Sequence, residues 1–469
     1  MKHILTMVFV VFWGNGAFTQ SLKTDSSYFL SLTELHQIIL VEHPMVQRAN
    51  LLPKQAQSLI MMAKGSFDPV VAGDFSQKTF KSKTYWTFSD AYFKIPTWIG
   101  ADIKLNWQQN SGDFLDQSDQ TPRTGLNYAG IALPIGRGLL IDQRRASLMQ
   151  AKSFLEQNQA EQAAMVNKIM LQASKDFAVW YTAYKSFLFI NDAYILANQR
   201  ADQVKQRVVL GDAAAIDSVE AVVAAQQRLL ERTAAQLELY LNNVNISNYL
   251  WKNNQPIQIE PSVYPIFNTE NTSALLPDSL LNAIKFARET HPNLQKIRFK
   301  GEILETERRL AREMLKPQLN LEAGILQQNP VFSQTITSNF IQNNYKLGAS
   351  AYIPIFLRKE RGKLNLSNFK IKENDLELSF GYQTIQNDLR MAFEQIKTLE
   401  AQLQLAQRMI TNYETLRNGE KIRFDNGESS VFLINAREAK LLEAEVKYAE
   451  LQGKLQKAIA EWRFALGGF

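Results

Sequence analysis

The 469-residue chain contains no cysteine. Disulfides, zinc–thiolate sites, cysteine nucleophiles and lipidation at an N-terminal cysteine are therefore excluded. Histidine is scarce as well. His3, His36, His43 and His291 do not pair at the spacing of metal ligands on a helix, so neither a metal site nor histidine catalysis is expected. Long basic runs are missing. A net charge of +6, spread over a chain this long, is not the footprint of a nucleic-acid binder, and no nucleic-acid partner is expected. No stretch reaches the ~18 consecutive apolar residues of a membrane-spanning helix, so any insertion into a membrane must be by strands. With 45% apolar and 21% charged residues, the chain is neither disordered nor a bundle of membrane helices.

Proline is absent between Pro134 and Pro256 and again after Pro354. Proline breaks helices, so both stretches are free to be helical. In the first, Val166, Ile169, Ala173, Trp180, Tyr184, Phe187, Tyr194, Ala197, Ala201, Val204 and Val208 keep heptad steps. In the second, Ile385, Leu389, Ala392, Ile396, Leu399, Leu403, Ala406, Ile410 and Tyr413 do the same. Both are coiled-coil seams. Each stretch is interrupted once, at Gly211 in "LGDAAAID" and at Gly427 in "DNGESSVF". Glycine suits a helix end, and Asp212 or Glu428 suits the start of the next helix. The expectation is a long helix over 139–209 returning over 213–250, and a second over 359–419 returning over 429–466.

The opening "MKHILTMVFVVFWGNGAFTQS" has a basic start, a short apolar run and then small residues, so residues 1–20 are expected to be a secretory signal peptide. Elsewhere the period changes to two. Ile99, Ala101, Ile103, Leu105 and Trp107 alternate with polar or small residues, as do Leu319, Leu321, Ala323 and Ile325, then Tyr345, Leu347, Ala349, Ala351 and Ile353. In "LNYAGIAL" the apolar face is expected to hold Leu126, Tyr128 and Ala132. Strands are expected over 69–134 and 317–355. Alternation, the aromatics of 67–128 and an export signal together favour a membrane barrel over a soluble sandwich.

The chain also repeats itself. "EHPMVQ" and "THPNLQ" lie about 250 residues apart, and the register holds from His43 and His291 through Ala63 and Ala311 to Pro69 and Pro317. Each copy ends a helical segment, expected over 32–64 and 279–315, and leads into strands. Residues 21–252 and 278–469 thus form two similar halves joined by a linker over 253–277.

These features, in this order and doubled, resemble the TolC family of outer-membrane efflux and secretion channels. "HPMVQ" and "HPNLQ" look like the family's repeated signature before each strand block. "LPIGRG" and "IPIFLRKERG" are similar to its strand-to-helix junctions. "GDAAAIDSVEA" and "GESSVFLINARE" look like its helix turns, and the wording of the last resembles the Bacteroidetes branch. The resemblance implies an internally duplicated α+β membrane protein. Long antiparallel coiled-coil helices would form a periplasmic α-barrel, and four strands per chain would give a homotrimer one twelve-stranded transmembrane β-barrel. The implied location is the outer membrane with a periplasmic extension. The implied function is the passive exit duct of a tripartite efflux system for small molecules, working with a periplasmic adaptor and an inner-membrane transporter, with type I protein secretion or metal-ion efflux as the alternative.

The resemblance places gate and adaptor docking at the two turns, with Gly211, Asp212 and Asp217 in the first and Gly427, Glu428, Ser429, Ser430, Phe432 and Asn435 in the second. Several relatives carry acidic residues in the second turn. The positions matching here are Phe432 and Asn435, so constriction by Phe432 is the expectation, against packing of Phe432 between helices. A soluble periplasmic coiled-coil adaptor is the rival class, and would lack membrane-facing strands. "GESSVF" lacks the glycine that follows the nucleophile of a hydrolase elbow and sits between helices, so no enzyme and no cofactor are expected.

Overall fold

The structure, a computed structural model, describes residues 28–260, 262–267, 280–328 and 338–469. The signal peptide expected over 1–20 lies outside them, as do linker residues 268–277 and loop residues 329–337. The first half runs β1 (Tyr28–Ser31), α1 (Leu32–Glu42), α2 (Pro44–Ala49), α3 (Leu51–Gly65), β2 (Val70–Phe80), β3 (Lys83–Pro96), β4 (Asp102–Ser111), β5 (Leu126–Gly136), α4 (Gln143–Leu210) and α5 (Ala215–Ser247). Three short strands follow: β6 (Trp251–Lys252), β7 (Gln255–Pro256) and β8 (Val263–Ile266). The second half runs α6 (Leu280–Thr290), α7 (Pro292–Glu313), β9 (Gln318–Gln327), α8 (Ser338–Asn343), β10 (Tyr345–Tyr352), α9 (Arg358–Asp425) and α10 (Val431–Leu466).

The repeated "HP" sequence is a device for breaking a helix. The segments expected as single helices over 32–64 and 279–315 divide at its histidine, and the first divides again at Asn50. His43 Nδ1 accepts a hydrogen bond from the Met45 N–H, and His291 Nδ1 accepts one from the Asn293 N–H, both at 3.2 Å. Proline follows at the first helical position, where no intrahelical N–H bond is lost. The glutamine four residues on closes the other side of the break: Gln47 donates to the Glu42 carbonyl and Gln295 to the Glu289 carbonyl. The histidine is thus a side-chain N-cap, a role usually taken by Ser, Thr, Asp or Asn.

α4 and α9 are each 68 residues long, or about 100 Å at 1.5 Å per residue. The helices form a curtain. At its strand end α3, α4, α7 and α9 lie side by side; at the other end the order is α5, α4, α10, α9. The heptad seams hold the curtain together. Ala173, Trp180 and Val204 are buried on α4, and Leu389, Ala392 and Ile396 on α9, where they meet Leu455, Ala458 and Trp462 of α10. The linker contributes structure of its own, since β8 pairs in parallel with β1; just before it, Tyr249 stacks on His43 and Trp251 meets the same ring edge-on.

The strands form one antiparallel sheet in the order β10-β9-β5-β4-β3-β2. Six strands, not the four implied by the resemblance, come from one chain. The first block supplies four of them, because its extra length is a β2–β3 hairpin closed at Lys81 and Ser82, both at positive φ. Such a two-residue turn matches the twist of the strands beside it. Side chains alternate between two faces. One row across all six strands reads Val71, Phe93, Leu105, Ala129, Ile325 and Tyr345. The adjacent row on the opposite face reads Val70, Lys94, Lys104, Gly130, Gly324 and Lys346.

β5 is oriented opposite to expectation. Asn127, Ala129, Ile131 and Leu133 share the apolar face, whereas Leu126, Tyr128 and Ala132 lie on the polar one, opposite Gln108, Asn106 and Asp102. The reason is local. The Tyr128 ring lies over Gly130 and Gly324, where a Cβ on either glycine would come within 2.5 Å of it, and its hydroxyl donates to Glu322 at 3.0 Å. β4 likewise starts at Asp102, leaving Ile99 and Ala101 in the preceding turn.

Candidate gate and docking site at the helix tips

The curtain ends, away from the sheet, in two turns built alike. After α4, Gly211 adopts φ 84°, its N–H bonds to the Val208 carbonyl at 3.1 Å and the Asp212 N–H bonds to the Arg207 carbonyl at 2.8 Å. After α9, Gly427 adopts φ 79°, its N–H bonds to the Phe424 carbonyl at 3.1 Å and the Glu428 N–H bonds to the Arg423 carbonyl at 2.8 Å. Both are Schellman closures, which need a left-handed residue that glycine adopts most easily. α5 and α10 start two residues later than expected, at Ala215 and Val431. Asp212 and Glu428 therefore do not cap them. Ser430 caps α10 by accepting from the Leu433 N–H, and α5 has no side-chain cap. Asp217 lies in the first turn of α5.

The two hairpins touch. Val204 of α4, Ala221 and Ala225 of α5 and Val431 of α10 form one buried cluster with Val208 and Phe424 beside it. The Arg207 guanidinium sits over the Phe424 ring, 5.4 Å from its centroid. Higher up, Arg200 donates two hydrogen bonds to the Glu438 carboxylate and one to the Asn435 side-chain oxygen at 3.0 Å. Ser429 donates to the buried Glu420 carboxylate at 2.6 Å, and that hydrogen bond, with Arg423 and Arg437 nearby, holds the carboxyl below its usual range.

The structure thus gives two of the expected residues partners that sequence reasoning missed: Ser429 meets Glu420, which Arg437 faces, and Asn435 meets Arg200, which Glu438 holds, while Ser430 serves as the cap of α10. Arg200 and Glu438 lie in different halves of the chain, and no local pattern links them. Phe432 makes no core: 64% of it is exposed in the single chain. It shares that exposure with Val209 and Leu210 at the end of α4, Ile216 on α5 and Ile422 on α9, so both tips present apolar side chains to the outside. No cluster of metal-ligating groups occurs among the described residues, and none of their helices is long and apolar enough to cross a membrane.

Residues 283–468, running from α6 through α10, match the outer membrane efflux protein family. The match lies in the second half of the chain. The TolC-family reading of the sequence therefore stands, and with it a location in the outer membrane with the helices extending into the periplasm. The family's sequence pattern covers α6, α7, both strands of the second half, and the α9–α10 hairpin with its tip.

Solved structures agree on the fold of the whole chain. The CmeC outer membrane channel of Campylobacter jejuni superposes with a TM-score of 0.66 at 15% identity, covering 99% of this chain and 94% of that one. The outer membrane protein VceC of Vibrio cholerae gives 0.64 at 14%, covering 93% and 96%. The open-state MtrE outer membrane channel of Neisseria gonorrhoeae gives 0.65 at 13%, covering 93% and 89%. No curated protein matches the chain. At these identities the likeness is one of fold, and this chain departs from the expected strand number as described above.

Proposed function

We infer that three copies of this chain assemble into a passive duct across the outer membrane and periplasm, the exit of a tripartite efflux system for small molecules. The observation that carries this reading is the shape of one chain: a curtain with two unsatisfied edges and a sheet with one apolar and one polar face. At one edge α5 exposes Val219, Val223, Leu230, Leu237 and Tyr240; at the other α9 exposes Phe369, Leu376, Phe380 and Met391. Different surfaces that meet head to tail close into a ring. An open sheet edge cannot persist in lipid, where every backbone group must be paired within protein, so the sheet also calls for further copies. Once closed, the apolar row faces lipid and the lysine row faces a water-filled lumen. The two halves serve as duplicated wall segments.

The duct does no chemistry. Its energy comes from an inner-membrane transporter, and a periplasmic adaptor docks on the turns at 208–217 and 425–435. The exposed apolar tips supply the contact, with Gly211, Asp212, Asp217, Gly427, Glu428, Ser429 and Ser430 setting the turn geometry. Phe432 narrows the mouth, and the Arg200–Glu438 pair with Asn435 holds the two hairpins together in the resting state. Because the chain has no cysteine, single cysteines at the turns can be crosslinked to a candidate adaptor without background. Crosslinks at both turns are the expected result; none at either would overturn the docking reading.

A further inference from the structure

The family fold implies four strands per chain, but the sheet has six. On the trimeric reading above, we propose that all six enter the membrane wall, so that three copies close an eighteen-stranded barrel in which β2 of one copy pairs with β10 of the next.

The β2–β3 hairpin has the properties of wall, not of a loop. β2 and β3 are 11 and 14 residues long, and a tilted strand of ~9–11 residues crosses a bilayer. From its base to the bulge at Lys78 and Thr79 the hairpin continues the two faces of the other strands: Val71 and Phe93 extend the apolar row, and Lys94 extends the row of Lys104 and Lys346. On the same polar face Asp74 stands directly opposite Asp90. Two facing carboxylates repel each other and are tolerable beside water but not in lipid. Trp86 and Phe88 occupy this face only toward the far end of the hairpin.

The hairpin is also fixed at its base. Asp102, at the start of β4, accepts hydrogen bonds from Arg144 of α4 at 2.9 Å and Lys94 of β3 at 2.9 Å. Trp98, in the turn between β3 and β4, packs on Phe67 at the end of α3 with ring centroids 5.6 Å apart. β3 therefore returns to the plane where the helices begin, as every other descending strand does. A four-stranded wall would have to free the outer edge of β4, breaking a ladder of ten residue pairs with β3.

The dimensions agree. Strands ~4.8 Å apart and tilted ~40° occupy about 6 Å each around a barrel, so eighteen span about 110 Å and twelve about 75 Å. Four helices per chain, side by side, make a ring of twelve that spans about 110 Å at ~9 Å between axes. The wider barrel meets the helical ring without a taper. The edges correspond too: β2 follows α3 on one side of the curtain and β10 leads into α9 on the other, so an interface that joins α3 to the neighbouring α9 also brings β2 to β10.

The test is disulfide formation between strand edges of adjacent copies in outer membranes. Ala349→Cys in β10 is combined in turn with Gly73→Cys, Phe75→Cys or Gln77→Cys in β2, and separately with Leu105→Cys or Trp107→Cys in β4. Mild oxidation and denaturing electrophoresis read covalent ladders, using only variants that retain heat-modifiable migration. Ladders with β2 and none with β4 are expected. Ladders with β4 and none with β2 would overturn the six-stranded wall while leaving the trimeric duct intact. No ladder with either strand would overturn both.

Discussion

Arg200 of α4 and Glu438 of α10 form a bidentate ion pair that joins the first helical hairpin to the second, with side chains only 10% and 18% exposed. Removing one member of so enclosed a pair leaves the other charge uncompensated, at a cost of about 3 kcal/mol. Arg200→Ala is therefore expected to loosen the tips and raise single-channel conductance, and the exchange Arg200→Glu with Glu438→Arg is expected to restore it. Unchanged conductance in Arg200→Ala would remove the pair from any role in closure.

Phe432 contributes nothing to the core of one chain, so Phe432→Ala should leave thermal stability within ~0.5 kcal/mol of wild type. If the ring narrows the mouth of the assembled duct, the same substitution raises conductance. A variant with lowered stability and unchanged conductance would instead assign Phe432 to packing between copies.

The glycines of the two turns face open space: a Cβ at Gly211 or Gly427 meets nothing within 4 Å. Alanine there encounters only the penalty of the left-handed backbone, about 1–2 kcal/mol. Asparagine, which tolerates that conformation, should cost less at both positions. Thermal unfolding of the four variants checks the order, and equal losses for alanine and asparagine would contradict it.

Three imidazoles, His291 buried and His36 and His43 half-buried, make the periplasmic part sensitive to acid. Burial, and secondarily Arg463, lowers the pKa of His36 to about 4. Burial also lowers those of His43 and His291, whose Nδ1 atoms must stay unprotonated to cap their helices. A folded pKa below the unfolded value of ~6.5 means that this stability is complete above pH ~6.5 and is lost as pH falls toward the folded value. Tm should fall more steeply with acid in wild type than in His36→Gln. His291→Ala should cost about 1 kcal/mol at neutral pH, with His291→Asn recovering most of it. Parallel pH profiles for wild type and His36→Gln would contradict the assignment.

The helical part of the fold was legible because long helices leave two plain marks, absence of proline and a heptad seam, and both tips were marked by glycine. The return helices α5 and α10 start two residues later than the sequence suggests; at α10 Ser430 and not Glu428 supplies the cap, and α5 has no side-chain cap. The repeated "HP" was visible as a repeat but not as a helix break, because histidine is an unusual N-cap. The strands were harder. Tyr128 looks like an apolar-face residue in the sequence, and only the glycines beneath it, one of them on β9, show why it lies on the other face. The extra hairpin is visible as surplus length in the first block, yet length alone does not fix the number of strands, and the resemblance implies four. Arg200 and Glu438 were illegible because their pairing depends on how α4 and α10 pack.

The central claim is that this chain builds a water-filled trimeric duct. Detergent-extracted protein from outer membranes, added to a planar lipid bilayer, tests it most directly. The account predicts discrete, long-lived current steps whose size grows with salt concentration. Folded, heat-modifiable protein that inserts and carries no current would contradict it.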